Sequence, residues 1–241
     1  MELLINKTAY ITGGTKGIGY GIAKALLQAG MNVAITGRDL KTAEKAAEAL
    51  ASFCKAGNEV LGLQADVRSL ESQEAAVNAI LEKFGQIDLV VANAGLGHFA
   101  SVEDITPAQW NQTIDTNLTG AFYALKACVE ALKKTRGYYI TISSLAGTNF
   151  FPKGSAYNAS KFGLTGFTQA AMLDLREYGI KVSTIMPGSV STYFNGNEPD
   201  DSDSWKIQIE DMGELVVDLL KMNPRTLPSK IEVRPSMPPS K

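Results

Sequence analysis

The sequence predicts a doubly wound α/β fold: a seven-stranded parallel sheet with helices on both faces, read as a single dinucleotide-binding and catalytic domain over residues 1–241. Three observations carry that expectation. Apolar, β-rich runs alternate with helix-period stretches along the chain, the signature of repeated βαβ units. The first run, Thr8–Thr12, passes directly into a glycine-rich turn that opens a helix. No composition shift, internal repeat or low-complexity tract marks a second domain. This is the pattern of a Rossmann sheet, which takes its ligand outside the carboxyl ends of the strands.

Taken in order, Thr8–Thr12 reads as the first strand and Ile18–Ala29 as the first helix, opened by glycines. Asn32–Thr36 is the second strand, followed by a helix over Leu40–Cys54 that Asp39 caps. Glu59–Gln64 and Leu70–Phe84 form the third pair, and Leu89–Ala92 is a short fourth strand. A long helix is expected over Trp110–Lys134, then a strand at Tyr138–Ser143 and a helix at Ala156–Tyr178. Lys181–Met186, Ile209–Leu220 and a short Ile231–Val233 complete the alternation. Residues 193–208, with the acidic, polar stretch Asn195–Ser204, read as a short substrate loop or lid. Residues 235–241 are Pro/Ser-rich and read as a flexible tail.

Composition excludes several classes. The 241 residues, 45% of them hydrophobic, suffice for a sizeable core. A formal charge of −2 gives no global attraction to nucleic acid or to an anionic membrane. Cys54 and Cys128 lie far apart and form no ligand motif, so both read as reduced thiols. No apolar run approaches the ~20 residues of a membrane span, and Met1–Lys7 is too short for a signal peptide; the expected compartment is cytoplasmic. His98, the sole histidine, lacks clustered Cys, Asp or Glu partners, so no metal site is expected. It reads as a loop histidine, with substrate contact as the alternative.

The chemistry concentrates in Tyr157-Asn158-Ala159-Ser160-Lys161, with Ser144 upstream. Positions i and i+4 share one helix face, so the Tyr157 hydroxyl and Lys161 ammonium are expected in one small site. A nearby cation favours the phenolate, which suits a tyrosine that exchanges a proton with an alcohol oxygen.

A cofactor site is expected at Thr12-Gly13-Gly14-Thr15-Lys16-Gly17-Ile18-Gly19. Gly13, Gly17 and Gly19 let a phosphate approach the backbone, and the helix N-terminus directs unpaired N–H groups at it. After the second strand comes Arg38, which can fork onto a 2′-phosphate, with Lys16 as a second positive charge. This favours NADP(H) over NAD(H); the competing reading places Asp39 on the ribose. Asp66-Val67 is a candidate for the adenine edge, with a loop or cap role as the alternative. Asn93-Ala94-Gly95 ends the fourth strand with two small residues, suiting a backbone that passes close to the cofactor.

Together these residues resemble the short-chain dehydrogenase/reductase family, from Thr8 to about Leu220. The resemblance rests on T-G-x-x-x-G-x-G at Thr12–Gly19, N-A-G at Asn93–Gly95, Asn117, Ser144, Y-x-x-x-K at Tyr157–Lys161, and Pro187-Gly188. It implies that Tyr157 is the general acid in reduction and that Lys161 lowers its pKa and holds the nicotinamide ribose. Ser144 would hydrogen-bond the reacting carbonyl oxygen, and Asn117 would hold a water completing a proton relay. Pro187, Gly188, Val190 and Thr192 belong to the cofactor contacts, with Thr192 on the carboxamide; Thr15, Lys16 and Ile18 join the glycines. It also implies a homodimer or homotetramer, with the Ala156–Tyr178 and Trp110–Lys134 helices as the interface.

Within the family the glycine loop and N-A-G look most like 3-oxoacyl-(acyl-carrier-protein) reductases and broad carbonyl reductases. The expected substrate is a small-molecule ketone or aldehyde, with a 3-oxoacyl thioester as one candidate. The alternatives are oxidation of a secondary alcohol, sugar or steroid and, remotely, a non-catalytic NADP sensor. The segment between Thr192 and Ile209 is shorter than in many relatives, which suggests an open pocket. Phe99, Leu145, Phe150, Phe151 and Tyr193 are its candidate apolar wall, with ordinary packing as the alternative for each.

Overall fold

The computed structural model describes residues 4–55 and 57–237. Seven strands pair in parallel in the order β3-β2-β1-β4-β5-β6-β7: β1 (Thr8–Thr12), β2 (Asn32–Gly37), β3 (Val60–Gln64), β4 (Leu89–Ala92), β5 (Tyr138–Ile142), β6 (Lys181–Pro187) and β7 (Lys230–Val233). The order turns back between β1 and β4, so a crevice opens where their carboxyl ends diverge. The helices are α1 (Gly17–Gln28), α2 (Leu40–Ala51), α3 (Leu70–Phe84), α4 (Pro107–Ile114), α5 (Gly120–Thr135), α6 (Ser155–Leu175) and α7 (Ile209–Lys221).

Side-chain alternation along the strands divides the core. Ala9 and Ile11 pack with Leu26 of α1, Leu50 of α2 and Val216 of α7. Tyr10, between them, faces Ile80 of α3, Leu125 of α5 and Leu164 of α6. Both faces are therefore covered, which is why β1, β4 and β5 are buried throughout and read as unbroken apolar runs. Helices α1 and α7 cross closely: a Cβ at Gly213 would lie 2.7 Å from the Gly21 carbonyl oxygen.

Most elements fall where the sequence places them, with ends shifted by a few residues. Helix α2 stops at Ala51 rather than Cys54, and α6 finishes in a 3-10 turn over Arg176–Tyr178. One expectation needs correction. The long helix over Trp110–Lys134 instead starts at Pro107 and is divided into α4 and α5 by a π turn, Asp115–Thr119. Its start was encoded in Thr106-Pro107-Ala108-Gln109. The Thr106 hydroxyl accepts from the Gln109 N–H, while the Gln109 side chain accepts from the Thr106 N–H, with Pro at the first helical position.

The 193–208 segment is also more ordered than a plain loop. It holds 3-10 turns at Phe194–Gly196 and Asp201–Trp205 and is closed by a bridge between Val190 and Ile207. Of the expected flexible tail, residues 238–241 lie outside the described residues. No helix among the described residues is long and apolar enough to cross a membrane. Cys54 and Cys128 are free thiols.

Candidate active site

The turn from β1 into α1 is shaped by its neighbours. Gly13 has φ +65°, and a Cβ there would lie 2.9 Å from the Ala94 Cα. Gly17 has φ +61° and lies under Thr192, 3.6 Å from where its Cβ would be. Both positions have a left-handed backbone, which glycine adopts without strain, and Gly13 adds a close approach that a Cβ would obstruct. Gly19 leaves room for the Asn93 side chain, and Thr15 packs on Gly37 at the end of β2. Side chains cap α2, α3 and α4 (Asp39, Ser69 and Thr106), whereas α1 begins after Lys16 with no side-chain cap and no acidic residue in its first turn. The N–H groups of Ile18 and its neighbours thus face the crevice without a protein anion. Such a cradle fits the pyrophosphate of a dinucleotide.

At the end of β2, Arg38 is exposed and its carbonyl accepts from Gln64 Nε2 at 3.0 Å. Asp39 is the α2 cap, accepting from the Thr42 N–H at 2.8 Å, as its place before Leu40 leads one to expect. The Thr42 hydroxyl donates to the same oxygen, and this bond first and the N–H bond second hold the carboxyl below the usual carboxylate range. Asp66 is held by Arg68, whose Nη2 lies 2.6 Å from Oδ2 and whose Nε lies 3.0 Å from Oδ1. Its pKa is lowered, chiefly by that pairing. The loop role thus uses the Asp66 carboxylate, and Val67 is buried against Gly120. Lys16 is exposed, with Nζ 5.7 Å from the centre of the Tyr193 ring.

At the switch point, Asn93 acts on the protein itself. Its Nδ2 donates to the Thr12 and Gly13 carbonyls at 3.0 and 2.9 Å, while Thr12 Oγ1 accepts from the N–H groups of Asn93 and Ala94, each at 3.1 Å. This fixes the glycine turn to the end of β4. Gly95 follows; a Cβ there would lie 3.3 Å from Asn117 Oδ1 and 3.7 Å from Lys161 Nζ. Asn117 is buried within the π turn, a local widening of the helix often found at functional sites. Its Oδ1 accepts from the Leu96 N–H at 2.9 Å, and its Nδ2 donates to the Leu96 carbonyl at 2.8 Å and to Ser160 Oγ at 2.9 Å. Ser160 in turn donates to the Tyr157 carbonyl at 2.8 Å. One amide side chain thereby links the β4 loop to the helix bearing Tyr157.

Tyr157 and Lys161 occupy successive turns of α6, and Ser144 caps the 3-10 turn that follows β5. Lys161 is 4% exposed, and burial pushes its ammonium down to about 8. Its Nζ donates to the Ile142 carbonyl at 2.9 Å and lies 5.7 Å from the centre of the Tyr157 ring. Burial raises the Tyr157 phenol, and a hydrogen bond with Ser144 partly offsets it. The lowering expected from Lys161 is therefore not what the protein groups alone produce: desolvation dominates the phenol, and the ammonium is engaged by a backbone carbonyl.

Pro187 ends β6, and the Gly188 N–H donates to the Val233 carbonyl at 2.8 Å. Val190 carries the bridge to Ile207, and Thr192 Oγ1 accepts from the Phe194 N–H at 3.3 Å. The segment is clipped by Asp203, a buried carboxylate that accepts from Ser191 Oγ at 3.1 Å and pairs with Lys206. Among the candidate wall residues, Phe99 and Phe151 gather at Tyr157, but Phe150 is 86% exposed and Tyr193 turns toward Lys16. Leu145 packs beside Gly188. Phe194, which sequence reasoning passed over, joins the cluster at 5.6 Å from the Tyr157 ring. No periodicity marked it, because Phe194 opens a 3-10 turn instead of continuing an extended strand. His98 is held by Gln112, 2.7 Å away.

The model of the short chain dehydrogenases matches residues 7–203. The chain is 41% identical over 198 residues to trans-4-hydroxycyclohexanecarboxylate dehydrogenase of Sinomonas cyclohexanicum, covering 79% of this chain and 75% of that protein. It is 35% identical over 192 residues to a 3-oxoacyl-(acyl-carrier-protein) reductase of Chlamydia muridarum, covering 79% and 77% of the two chains. Among solved structures, an alcohol dehydrogenase of Thermococcus sibiricus complexed with 5-hydroxy-NADP aligns with a TM-score of 0.89 and 31% identity, over 98% of this chain and 99% of that one. With the fold and the motif residues in place, the chain belongs to the short chain dehydrogenases, oxidoreductases that act between a carbonyl group and its alcohol.

Proposed function

We propose that this protein is an NADP(H)-dependent reductase converting a ketone or aldehyde to an alcohol, with a 3-oxoacyl thioester among the candidate substrates. The observation that carries the reading is the meeting of Ser144, Tyr157 and Lys161 beside the uncapped α1 N-terminus at the switch point. With its pyrophosphate in that cradle, a nicotinamide dinucleotide would supply the hydride. Tyr157 Oη donates the proton that the carbonyl oxygen takes up, and Ser144 Oγ hydrogen-bonds the same oxygen as its charge develops. Lys161 places its ammonium one helical turn behind the phenol, held by the Ile142 carbonyl. Asn117 holds the β4 loop and α6 in register, so Gly95 stays against the Lys161 ammonium. Arg38 supports NADP(H) as an exposed cation at the end of β2, and Lys16 adds a second exposed cation in the glycine turn.

Helices α5 and α6 carry exposed Phe122, Phe162 and Leu173, and a Cβ at Gly166 would meet nothing within 4 Å. This supports a homo-oligomeric interface on that face. The similarity to a hydroxycyclohexanecarboxylate dehydrogenase favours a second reading, oxidation of a secondary alcohol by the same residues.

The test is oxidation of NADPH, with NADH in parallel, against an acetoacetyl thioester, a β-ketoester, a quinone, an aldehyde and a keto-sugar, and the reverse reaction with secondary alcohols. Turnover of carbonyls with NADPH preferred is the expected result. Faster oxidation of alcohols with NAD would replace this reading with the second one. Tight NADPH binding with no turnover of any carbonyl or alcohol would overturn both.

A further inference from the structure

Three phenylalanines reach one point from three different loops at the carboxyl edge of the sheet. Phe99 follows β4, Phe151 follows β5 and Phe194 follows β6. The Phe99 ring centre lies 5.3 Å from that of Tyr157, 6.0 Å from Phe151 and 6.3 Å from Phe194, and Phe194 lies 5.6 Å from Tyr157. The interplanar angles run from 38° to 74°, so the rings are tilted or edge-on and no pair is stacked flat. They are not core residues: Phe99 is 37% and Phe151 43% exposed. The backbone beneath them is adapted to the arrangement, because a Cβ at Gly97 would lie 2.7 Å from the Phe99 ring and 3.0 Å from the Phe194 ring.

We infer that these rings make the protein selective for carbonyl compounds, or the corresponding alcohols, whose reacting carbon belongs to or adjoins an apolar ring. This rests on the reductase reading above and narrows its substrate class. The hydrocarbon faces and edges around the phenol offer a flat or alicyclic ring several tilted-aromatic contacts at once. Tyr157 and Ser144 remain to meet the carbonyl oxygen. A thioester arm brings amides whose donors and acceptors find no partner on the three phenyl rings that cover them, which costs binding. A flexible alkyl chain loses rotamer freedom on binding against the rings, which a rigid ring does not.

The experiment compares kcat/KM for 2-tetralone, 2-decanone and acetoacetyl-N-acetylcysteamine in the full-length protein with NADPH. The expected result is a preference for 2-tetralone over both others of about tenfold or more, the scale on which apolar pockets discriminate. Phe99→Leu and Phe194→Leu keep the apolar volume but remove the rings; each is expected to cut the ratio of 2-tetralone to 2-decanone several-fold. Gly97→Ala, which pushes a methyl group into both rings, is expected to change the same ratio with the NADPH dissociation constant within about twofold. Preference for the thioester or 2-decanone, or a ratio unmoved by all three variants, overturns ring selection while the reductase reading stands. Absence of turnover with any carbonyl or alcohol overturns the reductase reading and this inference together.

Discussion

The two halves of the crevice are built by different means. Around β1, β2 and the start of β4 the shape is set by backbone: Gly13 against Ala94, Gly19 against Asn93, Gly37 against Thr15. Around the ends of β5 and β6 it is set by side chains on connections: the phenylalanine cluster at Tyr157, the Asp203 clip and the Ser144 hydroxyl. A crevice wall made of close backbone approach tolerates few residues at each position. A wall made of loop side chains can be altered one residue at a time without disturbing the sheet. The first suits a ligand common to many enzymes, and the second suits a ligand particular to one.

This contrast can be tested most severely at Tyr157, where the halves meet. Tyr157→Phe is expected to lower kcat by about 10²-fold or more, the usual contribution of a positioned general acid. NADPH affinity, measured by fluorescence titration, should change little; activity retained in this variant would remove the phenol from the mechanism. Lys161 comes next. Its folded pKa of about 8 lies below the ordinary lysine value, so between pH 8 and about 10.4 the unfolded chain binds more protons than the folded one, and stability rises with pH there. Compared with Lys161→Met in urea melts, the wild type should gain up to about 3 kcal/mol between pH 7 and pH 10.5. A constant difference would mean that Lys161 is not buried as a cation at neutral pH.

Two further substitutions sharpen the backbone side of the comparison. Gly13→Ala forces a left-handed residue against Ala94 and is expected to cost about 1–3 kcal/mol in thermal or urea unfolding, with loss of nucleotide affinity. An unaffected protein would show the turn to be more yielding than its contacts indicate. Arg38→Asp should shift the NADPH-to-NADH preference by about tenfold, the scale of one charge-assisted hydrogen bond, with stability unchanged. An unmoved ratio would assign the 2′-phosphate elsewhere. The smallest effect is expected from Asp203→Ala, which frees Ser191 and Lys206. A cost of about 1 kcal/mol and a rise in KM larger than the fall in kcat would mark it as a positioning residue of the substrate segment.

The same contrast explains what could be read in the sequence. The fold was legible because strands buried on both faces stand out as apolar runs between amphipathic helices. The glycine turn was legible because few residues satisfy its backbone. Lys161 and Tyr157 were legible as a pair because helical spacing places them on one face. The π turn was not, since Asp115–Thr119 fits an ordinary helix locally and only the bonds from Asn117 to Leu96 and Ser160 reveal why it widens. The partners of Asp66 and Asp203 depended on loop paths that no periodicity encodes. Phe194 escaped notice for the same reason, and Phe150 and Tyr193 were plausible wall residues that tertiary structure sent elsewhere.

The crossing of Gly21 and Gly213 has a bearing on how such a protein can diversify. Helix α1 begins at the glycine turn, and α7 begins where the 193–208 segment ends, so the glycine contact fixes the far end of that segment to the β1 side of the sheet. Its near end is fixed by the bridge between Val190 and Ile207. The stretch from Tyr193 to Lys206 is thus a cassette with both splice points anchored, open to exchange in length and composition while the scaffold that receives it keeps its shape.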